Sequence, residues 1–396
     1  MPVTARPASE EELADVVRDH AARRAPMRIF GGGTRPVGDV PEIAAAVSAC
    51  GLSGITLYEP DALTLVAKAG TPLAAIETAL AAEGQHLPFE PADHRALLGT
   101  DGSSTIGGVA AAGISGPRRI QAGSTRDSLI GLRFVSGEGE IIKNGGRVMK
   151  NVTGYDLVKL LCGSHGTLGI LTEVSFKLLP KPSTTGMLRI EGLDDATAIT
   201  ALTRALGSPF DVSGAAHAQT RPEGRPLTLI RVEGLPESVA YRTERLREWL
   251  APVLPAGADI AIESDAAKTA AGWQWVRDVE GFAGKPGSVW KLSVKPTDGP
   301  GVVADIARAV DCRALYDWGG GLIWLLTPAP DAEAAPVIRG AVNARGGHAT
   351  LMRRGAASDP AVPAFHPEAA RIAALSQALR RKFDPAGILN PGLMGR

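Results

Sequence analysis

Cysteine is scarce in this 396-residue sequence: Cys50, Cys162 and Cys312 stand far apart, so no C-x-x-C pair offers a zinc or iron–sulfur ligand set. Their odd number suits a reducing compartment better than a disulfide framework, and all three read as ordinary buried residues. The seven histidines show neither H-x-H nor H-x-x-x-H spacing, which leaves metal ligation without support. No apolar run approaches the roughly 20 residues of a membrane span, and "MPVTARPASEEELADVV" carries acids where a secretory leader needs an apolar stretch. A cytoplasmic protein is expected. Excess charge is also missing: 42 Lys plus Arg balance 42 Asp plus Glu, so no overall basic field would gather nucleic acid or acidic lipid.

Glycine, by contrast, is plentiful and unevenly placed. In "MRIFGGGTRPVGDV" a strand-like run ends in Gly31, Gly32 and Gly33. Three bare residues in a row make a tight turn, or they let successive N–H groups face one point and cradle an anion such as a diphosphate. Pro36, Gly38 and Pro41 deny the uninterrupted helix that a Rossmann loop opens into, which argues against a conventional NAD site. Upstream, Ser9 and Glu12 form a capping box, so residues 9 to about 24 are expected to be a helix whose Leu13, Val16 and Val17 pack on a strand at 27–30. "GITLYEPDALTLVAKAG" reads as two strands around a turn; in "TPLAAIETALAAEG", Thr71 is the expected N-cap, Pro72 the first helical residue and Gly84 the stop. The pattern is α+β.

Two further stretches are built of small residues. Residues 99–131, "GTDGSSTIGGVAAAGISGPRRIQAGSTRDSLIG", allow a backbone to approach a flat or charged guest, or a helix to pack tightly on a sheet. Residues 148–174 hold a helical segment around Asp156 to Leu161, a glycine turn and an apolar strand. "LPKPSTTG" then breaks the chain, and all six tryptophans lie beyond it, so a differently built core begins there. "VWKLSVKP" and "ALYDWGGGLIWLL" read as its strands.

The ordered set "GGGT", "TIGG", "GSTRDSLIG", "KNVTGYDL", "GSHGTLGILTE" and "FDPAGILNPG" resembles the flavoprotein superfamily of vanillyl-alcohol oxidase and p-cresol methylhydroxylase (PCMH). "GISGPRR" followed by "GGRVMKNVTGYDL" is most similar to the FAD-binding E-subunit family of bacterial glycolate oxidases. The resemblance implies a PCMH-type FAD-binding domain over 1–180, with subdomains of about 1–55 and 56–180. An antiparallel-sheet cap would follow at 183–355, and residues 363–396 would return toward the flavin with Asn390. It places the backbone of Gly31, Gly32, Gly33 and Thr34 on the diphosphate, and Thr105, Ile106, Gly107 and Gly108 in the loop that approaches the flavin. Ser124 and Asp127 fall beside the ribityl and phosphate chain, and Gly169 and Ile170 at the adenine end. In some relatives a histidine near the first loop bonds covalently to the flavin; none stands between His20 and His86, so dissociable FAD is expected.

Hydroxyacid-oxidising relatives carry H-x-G-D-G-N-x-H in the cap, whose histidines hold a metal. The similar stretch here is "DWGGGLIW", with Asp317 and Trp324 at the histidine positions and Gly320 and Leu322 replacing the acid and the amide. No metal is therefore expected, and His348, Arg118 and Arg119 are left as pocket candidates. Three readings follow: a flavin-bearing subunit of a glycolate-oxidising complex, a stand-alone FAD dehydrogenase of a 2-hydroxyacid or sugar-like alcohol, and a structural subunit with an empty flavin site. The first implies as partners a second FAD-binding catalytic subunit and an iron–sulfur subunit, with a small 2-hydroxyacid handled by the complex and the membrane reached only through those partners. "GPRR" and the tryptophans are the candidate docking elements.

Overall fold

The computed structural model of the chain describes residues 3–38, 43–147, 154–219 and 224–395; Pro41 and residues 148–153, whose last four open "KNVTGYDL", lie outside them. The first helix, Glu10–Ala22, begins where Ser9 Oγ accepts the Glu12 N–H at 3.1 Å, while Glu12 reaches one residue further back than a capping box requires, to the Ala8 N–H at 2.8 Å. Its buried Leu13, Ala14 and Val17 cover a short parallel pair, β1 (Met27–Phe30) and β2 (Ala45–Ser48). The same small core takes Ile388 and Leu389 from the far end of the chain. There the Met27 N–H donates to the Ile388 carbonyl at 2.8 Å, and the Asn390 N–H to the Met27 carbonyl at 3.1 Å.

A second layer is an antiparallel sheet. β3 (Ile55–Glu59) and β4 (Thr64–Lys68) form the expected hairpin, and a two-residue β5 (Gln85–His86) follows the helix Leu73–Ala82. Pro72 sits at that helix's N-cap position; Thr71 Oγ1 instead accepts the Gly54 N–H at 2.9 Å and donates to the Lys68 carbonyl at 2.6 Å, fastening the loop to the strand before it. β6 (Leu129–Val135), β7 (Ile141–Gly145) and β8 (Ile170–Lys177) complete the order β3-β4-β8-β6-β7, and β9 (Leu179–Pro180) pairs with β5. The helix Leu157–Leu161 is capped by Asp156, whose Oδ1 accepts the Lys159 N–H at 3.1 Å.

The remaining strands make one eight-stranded antiparallel sheet from β10 (Thr184–Glu191), β11 (Val212–Ala218), β12 (Leu227–Gly234), β13 (Ile260–Glu263), β14 (Ser288–Ser293), β15 (Arg313–Asp317), β16 (Leu322–Thr327) and β17 (His348–Arg353). Its spatial order is β13-β10-β12-β11-β15-β16-β14-β17. Strand alternation gives it two unlike faces. Trp290, Leu292, Ile323 and Leu325 pack among helices including Asp195–Leu206 and Asp331–Asn343, whereas Val289, Leu322 and Trp324 point the other way, toward Val37 and Leu97 of the first half.

The two halves are also joined by buried charge. Arg231 on β12 is 3% exposed and donates from Nη1 and Nη2 to the two carboxylate oxygens of Glu90, both at 2.9 Å. Its Nε lies 3.4 Å from Glu233, which receives Arg118 at 2.7 Å, and the Arg118 N–H returns to Glu90 at 3.0 Å. Burial alone would push the Glu90 carboxyl up, but the facing Arg231 and then Arg118 carry it down to about 2.

Candidate functional site

Where β1 ends, the chain must turn against two neighbours at once. A Cβ on Gly32 would lie 1.7 Å from the Ser103 carbonyl oxygen, so this position admits no side chain while the loops keep their contact. Gly33 has φ +71° and nothing within 4 Å of where its Cβ would be: its left-handed backbone faces open space. That space is a cleft of about 310 Å³. Gly31, Gly32, Gly33 and Thr34 form one wall, and Thr105, Gly107 and Gly108 another. Thr105 Oγ1 caps the helix Ile106–Ala112 by accepting the Gly108 N–H at 3.2 Å, and Gly107 presses that helix onto Ala69, where a Cβ would meet the Ala69 Cβ at 2.5 Å. The close-packing reading of the small residues holds at this helix, which also presents Gly108 to the cleft.

Gly169 and Ile170 line the cleft at the start of β8, and Asn390 closes it from the end of the chain. Asn390 is 2% exposed; its Oδ1 accepts the Ile29 N–H at 2.7 Å, and its Nδ2 donates to the carbonyls of Ile29 at 3.2 Å and His165 at 2.9 Å. One amide thus ties three backbone groups at the cleft.

Other expected residues lie elsewhere. Ile106 is fully buried in the core behind the cleft. Ser124 and Asp127 stand outside its lining and satisfy each other, the Ser124 N–H and Oγ donating to Asp127 Oδ2 at 2.8 and 2.7 Å, which holds the Asp127 carboxyl below its usual range. They cap the short helix Thr125–Ser128. Arg118 is not an open pocket residue, being committed to Glu233 and Glu90. Arg119 stacks on Trp318 at 4.2 Å, and His348 is exposed on β17 opposite Ser293. As docking elements the tryptophans divide: Trp273, Trp290 and Trp324 are buried, while Trp249 on the helix Pro236–Leu250 is 39% exposed. In "DWGGGLIW", the Asp317 carboxylate is buried and accepts the Trp318 N–H at 2.7 Å, with burial pushing its pKa up to about 7. Trp324 is 3% exposed and meets the His94 ring edge-on at 5.2 Å.

Three groups were not singled out in the sequence. Arg28 and Arg35 line the cleft, and Arg35 Nη1 donates to Ser104 at 3.0 Å. His165 also lines it, its ring set edge-on to Phe365 at 5.1 Å, and burial pulls its pKa down to about 4. No carboxylate is among the described lining residues. A cleft with bare backbone at one wall, two arginines and no acid among its described residues fits a cofactor joined through a diphosphate.

The fold and this cleft define a flavoprotein oxidoreductase with FAD as its cofactor. The family described as FAD binding domain matches residues 1–145, and the solved alkyldihydroxyacetonephosphate synthase superposes with a TM-score of 0.72 at 17% identity, over 98% of this chain and 75% of the other. The glycolate oxidase subunit GlcE of Escherichia coli (strain K12) is 34% identical over 385 residues, 97% of each chain. The glycolate oxidase subunit GlcD of Bacillus subtilis (strain 168) is 33% identical over 180 residues, 45% of this chain and 37% of that one. The chain belongs to the glycolate oxidase subunit GlcE family.

Proposed function

We propose that this chain is the FAD-bearing, GlcE-type subunit of a complex that oxidises the CH–OH group of glycolate to glyoxylate, and that its flavin passes electrons toward an iron–sulfur subunit and the quinone pool. A second flavoprotein subunit, of the GlcD kind, removes hydride from glycolate. The carrying observation is a contrast within one molecule: a cleft walled by bare backbone and two arginines beside a cap whose "DWGGGLIW" segment commits Asp317 to a backbone N–H and Trp324 to apolar packing. Neither side chain is placed to orient a hydroxyacid on a metal.

In this reading residues 1–180 carry FAD, 183–355 form the cap and 363–396 return to the cleft. The backbone of Gly31 to Thr34 takes the diphosphate with Arg28 and Arg35 supplying charge, Thr105, Gly107 and Gly108 border the flavin, and Gly169 and Ile170 flank the adenine end. Asn390 holds the first strand and the His165 loop at a fixed separation. When bound, FAD supplies one- and two-electron transfer. The protein's part is to bind it, shield it and present it to a redox centre that three scattered cysteines do not supply from within. Among the described residues no helix is long and apolar enough to cross a membrane, and in this reading the membrane is reached through the partners.

The test compares glycolate turnover, with an artificial acceptor, by the isolated chain and by the three co-expressed subunits. Negligible turnover alone and robust turnover together is the expected result, with both partners recovered through a tag on this chain. An isolated chain that reduced its FAD with glycolate at the rate of the complex would establish a stand-alone dehydrogenase instead.

A further inference from the structure

The helix Ala370–Phe383 is 14 residues long, and none of its side chains is fully buried. Ala373, Ser376, Arg380 and Phe383 are half-buried and mark the face that rests on the body. Phe383 sits beside Phe134 with ring centroids 6.3 Å apart, and Arg380 donates to the carbonyls of Met394 and Gly395 at 3.3 and 3.4 Å. Ile372, Leu375 and Leu379 are 52%, 63% and 41% exposed, and their spacing of three and four residues aligns them in one row. At about 100° per residue the row lies roughly 90° round from the resting face, on the flank of the helix. Its outermost surface carries Ala374, Ala378 and Arg381 instead.

Charge on this helix has one sign. Arg371, Arg380, Arg381 and Lys382 stand on it without an acid, in a chain whose 42 basic and 42 acidic residues otherwise balance. Arg371 and Lys382 border the apolar row on its solvent side, in the first and last turns, roughly 16 Å apart along the axis. Both are exposed, and neither has an ion pair among the described residues. The acids at the two ends are engaged locally: Glu368 accepts the Ser376 hydroxyl at 3.0 Å, and the buried Asp384 accepts the Leu389 N–H at 2.8 Å. A lone exposed leucine is ordinary, whereas a continuous apolar row edged by cations is the pattern that a partner helix covers. A flat lipid surface would meet the outermost residues and leave the flank in water. A second copy of this helix would bring the same cations against these. A helix laid alongside, with acids of its own, satisfies both the row and its border.

We infer that the helix Ala370–Phe383 is the docking element for an amphipathic helix of a partner subunit, which lays apolar side chains on Ile372, Leu375 and Leu379 and sets carboxylates against Arg371 and Lys382. The inference rests on the proposed complex for the existence of a partner and goes beyond it by assigning the surface and its chemistry. The same helix runs on through Asp384 to Asn390, so the docked partner adjoins the segment that closes the cleft.

The test co-expresses the tagged full-length chain with the GlcD-type and iron–sulfur subunits and measures recovery of both partners through the tag. Leu375→Asp combined with Leu379→Asp should lower recovery by about tenfold or more, while the isolated variant keeps wild-type circular dichroism and flavin content. Arg371→Glu combined with Lys382→Glu should lower recovery as well, and should do so even if the leucine variant fails to fold. Raising the salt should weaken wild-type assembly. Wild-type recovery from either variant pair would overturn this inference and leave the complex reading standing. Failure of the wild-type chain to recover any partner would remove the complex reading and the inference with it. An isolated wild-type dimer that the leucine pair dissociates would give the row to a second copy. Binding of the isolated chain to vesicles of equal parts phosphatidylglycerol and phosphatidylcholine, lost in the leucine pair, would give it to lipid. Either result would overturn the inference.

Discussion

Replacing Glu90 with Gln tests whether buried charge holds the two halves together. The substitution keeps the size of the side chain but removes the charge opposite Arg231, leaving a guanidinium that is 3% exposed with Glu233, 3.4 Å from its Nε, as its remaining ion-pair partner among the described residues. Losing one partner of a buried pair costs about 3–5 kcal/mol. An independent route gives a similar size: a carboxyl whose pKa is about 2 in the folded chain against 4.5 when exposed contributes about 3 kcal/mol at neutral pH. Because the folded value is depressed, this stability is fully present above pH 4.5 and is lost as pH falls from 4.5 toward 2. All six tryptophans lie in residues 249–324, so in a urea titration their fluorescence follows the eight-stranded sheet while flavin release follows the first half. Wild-type chain should give coincident transitions. Glu90→Gln should lower both midpoints and separate them, and Glu90→Gln combined with Arg231→Met should cost less than the sum of the two single changes. Coincident, unshifted transitions in Glu90→Gln, with the wild-type response between pH 4.5 and 2 retained, would refute the argument.

Gly32→Val should fold with little or no FAD, because any Cβ meets the Ser103 carbonyl at 1.7 Å and pries the two loops apart; full flavin occupancy, read from absorbance, would contradict this. Asn390→Leu strands the Ile29 N–H and the carbonyls of Ile29 and His165, each at about 1–3 kcal/mol if left unmet, so a large drop in thermal midpoint and weaker FAD retention on gel filtration are expected. Acid precipitation should release the yellow cofactor into solution. If flavin stays with the pellet, His165, the histidine that lines the cleft, becomes the linking residue to test by His165→Ala and peptide mass.

The α+β class was legible wherever local rules decide it. Ser9 caps the first helix as its position suggests, the helical segment expected around Asp156 to Leu161 forms at Leu157–Leu161, and the strand at 27–30 delivers its glycines to the cleft. The reason Gly32 must be glycine was not legible, since Ser103 lies far along the chain and only the fold brings its carbonyl there. Distance in sequence also hid the ion pair between Glu90 and Arg231, 141 positions apart. Ser124 and Asp127 show the opposite case: "STRD" is itself a capping box, and the two side chains read beside the ribityl and phosphate chain bond each other outside the lining of the cleft.

The stitch between β1 and the segment 384–390 sets an order of events during synthesis. Met27 and Ile29 leave the ribosome early, but the Ile388 carbonyl and the Asn390 amide that pair with them follow 361 positions later. Until then the first strand has its β2 neighbour but not this bond, and one wall of the cleft is missing. A nascent or truncated chain therefore lacks the residue that closes the cleft, and if FAD sits there as proposed, its capture reports that translation has passed residue 390. Loading then becomes a length check built into the fold: the yellow chains are those that reach Asn390.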